Sequence, residues 1–156
     1  MRRTWYGWGS LARAEKSWFG RILDDIVYVY ADISVFSLPV LMYVWVYDPF
    51  VDLGLTAPAL TAWFVMVAVA TLLRGGSIAP LGSETLGWVS TRLPLLLLRL
   101  VYYNVTLAVA IYGSLALAGV LGLPWVAVVA SGSVGTAATL AFPTVADIFY
   151  DRFSAT

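Results

Sequence analysis

The sequence predicts an all-α, polytopic membrane protein with four transmembrane helices, preceded by an amphipathic helix at the membrane interface. Four long apolar runs carry this prediction, because a helix of ~20 apolar residues crosses ~30 Å of hydrocarbon. Charged residues make up only 12% of the 156 residues, whereas a soluble domain has roughly 25%. The runs cover residues 26–47, 53–73, 93–121 and 124–146, which form a single transmembrane domain over 26–147.

Residues 1–25 precede the first run and combine apolar and basic side chains at helical spacing. This pattern predicts an amphipathic segment that lies in the cytoplasmic headgroup layer, with its aromatic side chains at the same depth. Such a segment either anchors the chain to the membrane or docks on a partner or on anionic lipid. Its apolar positions are Leu11, Trp18, Phe19, Ile22 and Leu23.

Glycine and proline mark the places where the helices are expected to break. The connection 74–92 is the longest between runs and begins with several breakers, so it forms either an interfacial turn or a re-entrant loop. Pro94 suits the first turn of the third helix. Pro39 inside the first run and Pro143 near the end of the fourth are expected to kink or end their helices.

The distribution of basic residues predicts the orientation, because short cytoplasmic connections carry an excess of Lys and Arg. The two short connections, 48–52 and 122–123, contain no basic residue. With four spans, every Lys and Arg outside the runs falls on the side of the two termini, which is then the cytoplasmic side of a plasma or inner membrane. Residues 148–156 form a short cytoplasmic tail. The basic residues are Arg2, Arg3, Arg13, Lys16, Arg21, Arg74, Arg92 and Arg152.

Small residues recur at every fourth position along the third and fourth runs. Such stripes let helix backbones approach closely in lipid, where the hydrophobic effect gives little drive to association. Because a very short turn joins the two runs, the stripes predict a tight antiparallel hairpin; alternatively, one stripe is an oligomer interface. The third run contributes Ala110, Ser114, Ala118 and Gly122, and the fourth contributes Ala127, Ser131, Gly135 and Thr139.

A polar cluster is predicted near the start of the first and third runs. Asp32 and Arg99 each lie about 9 Å into their runs, at a rise of ~1.5 Å per residue, and should pair because an isolated charge in hydrocarbon is costly. Tyr28 is expected to donate a hydrogen bond to Asp32, and Asp147 could join the pair. Asn104 is expected to hydrogen-bond a neighbouring helix. The pair is either a salt bridge that fixes helix register or a proton or coupling-ion site.

The sequence contains no cysteine and no histidine, which removes disulfides, thiol nucleophiles, imidazole catalysis and the commonest metal and haem ligands. No catalytic motif is present, so we expect no enzymatic activity and no cofactor. The net charge is zero and gives no basic field for nucleic acid. The expected partners are the lipid bilayer and other membrane subunits or copies of this chain. The favoured role is a structural or accessory subunit; the alternative is a small oligomeric transporter or channel that uses Asp32 and Arg99.

Overall fold

The computed structural model describes residues 18–47, 54–82 and 93–154, and these residues fold into α-helices joined by turns. A π-helical turn, Val109–Gly113, joins the third helix to the fourth without interruption. The helices are α1 (Trp18–Tyr47), α2 (Thr56–Gly75), α3 (Leu93–Ala108), α4 (Ser114–Leu121) and α5 (Trp125–Ser154).

Four helices in the described part of the chain are long and apolar enough to span a membrane, as the sequence predicts. The third of these candidate spans consists of α3, the π turn and α4. The candidate spans are Trp18–Tyr47, Thr56–Gly75, Leu93–Leu121 and Trp125–Phe149.

The helix boundaries differ from the predicted ones at both ends of the chain. α1 already begins at Trp18, so the described part of the predicted interfacial segment, residues 18–25, forms the start of the 30-residue helix that is the first candidate span. Residues 1–17, the rest of that segment, lie outside the described residues. α5 continues to Ser154 because neither glycine nor proline follows Pro143, so the predicted tail is helical as far as it is described.

The candidate spans pack in a ring. α1 packs against α2 and α3, and α5 completes the ring by packing against α2 and the third candidate span. α1 and α2 run antiparallel, whereas α1 and α3 run parallel. We call the end at which α1 and α3 begin, and α2 and α5 end, the basic end, because Arg21, Arg74 and Arg152 lie there. The opposite end is the far end.

Both the centre and the outside of the bundle are apolar. Ile33, Met66, Leu107 and Ile111 are fully buried at the centre. Large apolar side chains also cover the outer surface, where Val120 is 84% exposed. Contiguous exposed apolar surface of this kind is unfavourable in water and suits contact with hydrocarbon.

The π turn changes which neighbour the third candidate span faces. α3 packs mainly on α1, whereas the π turn and α4 pack on α5. A π turn inserts an extra residue into a helix and so changes the face that the following residues present. At the end of α4, Gly122 adopts a φ of 67°, a left-handed conformation that glycine tolerates best, and the chain turns into α5.

Candidate functional site

An ion pair inside the bundle joins α1 to α3 through the two residues that the sequence predicts to pair. Arg99 Nη1 donates to Asp32 Oδ1 at 3.0 Å, and the two side chains are 5% and 17% exposed, respectively. The hydroxyl of Tyr103, one turn further along α3, donates to Asp32 Oδ2 at 3.4 Å. Both carboxylate oxygens therefore face donors from α3, which offsets part of the cost of burying the charges.

A second ion pair, absent from the sequence prediction, lies nearer the basic end. Arg74 Nε donates to Asp25 Oδ1 at 2.7 Å and so joins the end of α2 to α1. The guanidinium carbon of Arg74 also lies 3.9 Å from the centre of the Tyr28 ring, which is a cation–π arrangement. The side chains of Arg74 and Asp25 are 17% and 14% exposed, so this pair too is largely shielded.

The position of Tyr28 corrects the predicted cluster. The hydroxyl that reaches Asp32 is that of Tyr103, because the Tyr28 ring lies against Arg74. Asp25, Tyr28 and Asp32 nevertheless share one face of α1, at spacings of three and four residues. A second acid on this face is the sequence signal for the second pair. The position of Arg74 gives no such signal, because a basic residue at the end of an apolar run is equally typical of a loop charge without an ion-pair partner.

Asn104 of α3 binds backbone groups on both sides of Pro39, through which α1 continues as one helix. A proline has no N–H and disturbs the hydrogen-bond ladder around it. Asn104 Nδ2 donates to the Phe36 carbonyl at 2.7 Å, and Asn104 Oδ1 accepts from the Val40 N–H at 3.0 Å. A regular helix joins these two backbone groups directly, since they are four residues apart. Nδ2 also donates to the Leu100 carbonyl of its own helix at 2.6 Å, so every polar atom of the carboxamide has a partner.

A similar bridge occurs at Pro143 in α5, where backbone groups replace the asparagine. The Leu140 carbonyl, three residues before the proline, accepts from the Leu81 N–H at 3.0 Å. The Thr144 hydroxyl, one residue after it, donates to the Leu81 carbonyl. Leu81 belongs to the turn that follows α2, so these bonds hold the turn against α5; residues 83–92, the rest of this connection, lie outside the described residues. A neighbouring segment thus binds two backbone groups at Pro39, and one backbone carbonyl and one side-chain hydroxyl at Pro143; both helices continue.

Asp147 lies half-buried on α5. The hydrogen bonds to Asp32 from Arg99 and Tyr103 come from α3, and the predicted role of Asp147 beside this pair stays a prediction. Tyr102 joins α3 to α5, because its hydroxyl donates to the Ala138 carbonyl at 2.8 Å. These polar contacts therefore link α1 to α2, α1 to α3 and α3 to α5.

The small residues of the two predicted packing stripes are buried, apart from Gly122. The stripe on the fourth run, which lies in α5, also contacts α2. A Cβ at Gly135 would come within 3.1 Å of the Ala62 carbonyl oxygen and 3.3 Å of Met66 Cγ, so any larger residue would require α2 to shift by a few tenths of an ångström. Gly122 is exposed and caps α4 instead of packing. The buried members are Ala110, Ser114, Ala118, Ala127, Ser131, Gly135 and Thr139.

The polar side chains of the described bundle are satisfied internally. Ser114, Ser131 and Thr139 each donate to a carbonyl three or four residues back in the same continuous helix, which satisfies the hydroxyl without joining helices. Where the chain is described, no buried side-chain nitrogen or oxygen lacks a hydrogen-bond partner. Within the same residues, no group of three His, Cys, Asp or Glu side chains is placed to hold a metal ion.

A groove of about 300 Å³ lies between α1 and α2 at the far end of the bundle. Its lining is almost entirely apolar, and neither ion pair borders it, since both lie toward the basic end. The groove therefore offers no polar route to the charged residues. Its lining residues are Leu41, Val44, Trp45, Thr56, Ala59, Leu60 and Trp63.

Residues 16–149 match a protein-family model described as a domain of unknown function, DUF8215. This match covers most of the chain, and the chain therefore belongs to that family. No curated protein and no solved structure matches the chain. The matched region contains both ion pairs and both bridged prolines.

Proposed function

We propose that this chain is an integral membrane protein that crosses a plasma or inner membrane four times and serves as a structural or accessory subunit of a membrane assembly. The observation that carries the proposal is the internal use of the polar side chains. The charged and amide groups inside the bundle bind one another or the backbone of a neighbouring helix, at hydrogen-bond distance.

The contacts that support a structural role join helices in pairs. The Asp32–Arg99 pair joins α1 to α3. Asn104 joins the same two helices farther from the basic end. Arg74 joins α2 to α1, and Tyr102 joins α3 to α5. A substrate or ion path needs polar groups that line a cavity or a water-filled passage. These groups instead face partners within the protein, as expected of residues that fix helix register.

Insertion into the membrane is supported by the four long apolar helices and by the apolar outer surface. We place both termini on the cytoplasmic side, because Arg21, Arg74 and Arg152 lie at the basic end of the bundle and basic residues collect on the cytoplasmic side. The proposed partners are other membrane proteins or further copies of this chain. We assign no catalytic activity, since the sequence lacks both cysteine and histidine.

The proposal is tested by extracting the tagged protein from its native membrane into nanodiscs, followed by native mass spectrometry. A stable complex with other chains supports the accessory role, and the chemistry of the partner then identifies the process. A homo-oligomer free of other chains favours the alternative described below. A single, unassembled chain contradicts the proposal.

The alternative is a small oligomeric transporter or channel, and one observation favours it. A charged pair inside an apolar bundle is a frequent mark of a proton or ion site. Asp32→Asn in proteoliposomes separates the two functions. A transporter is expected to stay folded and lose flux, whereas a structural subunit loses stability or assembly. Asp24→Asn is the matched control, because it removes an exposed acid from the same helix.

A further inference from the structure

Pro39 divides α1 into two parts that are held differently. The first part carries Asp25 and Asp32, whose ion pairs join it to α2 and α3. The second part, Val40–Tyr47, is called the arm here. It packs against α2 with Val44 buried, while most of its other side chains are exposed. α1 packs against α3, but no comparable packing joins it to α4 within the described residues.

Asn104 is the polar contact that lies across this division. Its carboxamide donates to Phe36 in the first part of α1 and accepts from Val40 in the arm. Tyr43 of the arm also hydrogen-bonds Tyr112 of the π turn, but this contact lies at the surface, where the two side chains are 50% and 45% exposed. Apart from this surface contact, the Asn104 carboxamide is the polar connection between the arm and the third candidate span, beside the apolar core that Val44 shares with Leu107 and Ile111.

The bridge at Pro143 differs in this respect. There, the Leu140 carbonyl and the Thr144 hydroxyl bind the backbone of Leu81, which the turn after α2 holds in place. α5 then continues with Ala146 fully buried. Loss of one side chain would not free this part of α5, whereas loss of the Asn104 carboxamide removes the bridge at Pro39.

We propose that Pro39 is a hinge and that the Asn104 carboxamide is the latch that holds the arm against the third candidate span. When the carboxamide releases the two backbone groups, the arm moves away from α3 and α4. The arm is about 12 Å long at ~1.5 Å per residue. A kink of about 20° would therefore displace its end, at Tyr47, by about 4 Å.

The test uses the absence of cysteine from the chain, which lets spin labels be placed without background. One label is attached at Val46→Cys on the arm and the other at Val120→Cys on α4, positions that are 61% and 84% exposed. Double electron–electron resonance in nanodiscs measures the distance between them. Asn104→Leu keeps the size of the side chain and removes its hydrogen bonds. It is expected to broaden the distribution toward longer distances by about 4 Å.

Two controls separate release of the latch from general loosening. Tyr102→Phe removes a hydrogen bond between α3 and α5 and leaves the bridge at the proline intact, so the arm distance should not change. Labels at Phe64→Cys and Val101→Cys, both exposed, report on the body of the bundle, and their distance should not respond to Asn104→Leu. An equal change in either control would overturn the hinge.

Pro39→Ala tests the hinge independently, because this proline is exposed and alanine restores the missing N–H. The variant is expected to narrow the arm distribution, and adding Asn104→Leu to it should then produce no broadening. The hinge is wrong if Asn104→Leu leaves the arm distance unchanged, or if it broadens the distribution equally with and without Pro39. Should Asn104→Leu fail to fold, the effect of Pro39→Ala alone decides, and an unchanged distribution overturns the proposal.

Discussion

Removing one partner of the Asp32–Arg99 pair is expected to destabilise the bundle strongly. In Asp32→Asn, the Arg99 side chain, which is only 5% exposed, loses the Asp32 carboxylate. Breaking a buried ion pair in this way costs about 3–5 kcal/mol, because the remaining charge stays buried without that partner. A loss of about 3 kcal/mol lowers the ratio of folded to unfolded protein by roughly 100-fold.

Removing both members of the ion pair together with the Tyr103 hydroxyl is expected to have a different effect. We call the combination of Asp32→Leu, Arg99→Met and Tyr103→Phe the apolar variant. The first two substitutions remove the charges, and the third removes the hydroxyl that would otherwise lose its acceptor. Replacement of a buried ion pair by apolar residues of similar volume is often neutral or stabilising, by about 1–4 kcal/mol. The apolar variant should therefore be clearly more stable than Asp32→Asn and close to the wild-type chain.

The assay is the free energy of unfolding in mixed micelles, measured by titration with a denaturing detergent and followed by tryptophan fluorescence. Asp24→Asn, which changes an exposed acid on the same helix, should shift this free energy by less than about 0.5 kcal/mol. The reasoning is refuted if Asp32→Asn is as stable as the wild-type chain. It is also refuted if the apolar variant is no more stable than Asp32→Asn.

Two further predictions concern packing and orientation. Gly135→Leu should cost about 1–3 kcal/mol, because a Cβ would come within 3.1 Å of the Ala62 carbonyl oxygen, whereas Gly119→Leu faces open space and should be tolerated. The same detergent titration measures both, and equal losses would contradict the packing. A membrane-impermeant maleimide should label Gly54→Cys on intact cells and Ser77→Cys only after lysis, since these exposed positions lie at opposite ends of α2. The reverse pattern would contradict the proposed orientation.

The candidate spans and the first ion pair are predictable from the sequence because a bilayer restricts the possibilities. It requires apolar runs of a minimum length, and it makes an isolated charge costly. Asp32 and Arg99 are the only charges in their predicted runs and lie at the same depth. Two opposite charges at the same depth in different helices are expected to pair with each other. The pair can therefore be predicted without knowing how each helix is rotated about its axis.

The remaining contacts depend on the rotation of each helix about its own axis and on its height relative to its neighbours. An almost uniformly apolar sequence pattern does not define either quantity. Tyr28 and Tyr103 each lie one turn from a member of the ion pair, and only the rotation of α1 and α3 decides that Tyr103 reaches Asp32. The contact between Asn104 and α1 requires the two helices to be parallel and in one register. The ion pair itself sets that register, and Asn104 follows Arg99 by five residues. The Asn104 bridge at Pro39 therefore follows from the register that the ion pair sets. The sequence pattern alone does not indicate this bridge.

The point at which each helix ends is not defined by an apolar run, for a related reason. An apolar run marks the part of a helix that suits hydrocarbon, not the point at which the backbone hydrogen bonds stop. α5 passes through Pro143 and continues to Ser154, and the Leu81 N–H binds the Leu140 carbonyl three residues before the proline. The partner for that bridge comes from a turn distant in sequence, so the local pattern around the proline cannot reveal it.

The central proposal is that the Asp32–Arg99 pair holds helices together. The most direct measurement compares the native mass of the complex in nanodiscs for the wild-type chain and for the apolar variant. A structural pair predicts the same mass and the same co-purifying chains, because apolar side chains can replace its contribution to packing. A variant that remains folded but no longer forms the wild-type complex would contradict the claim.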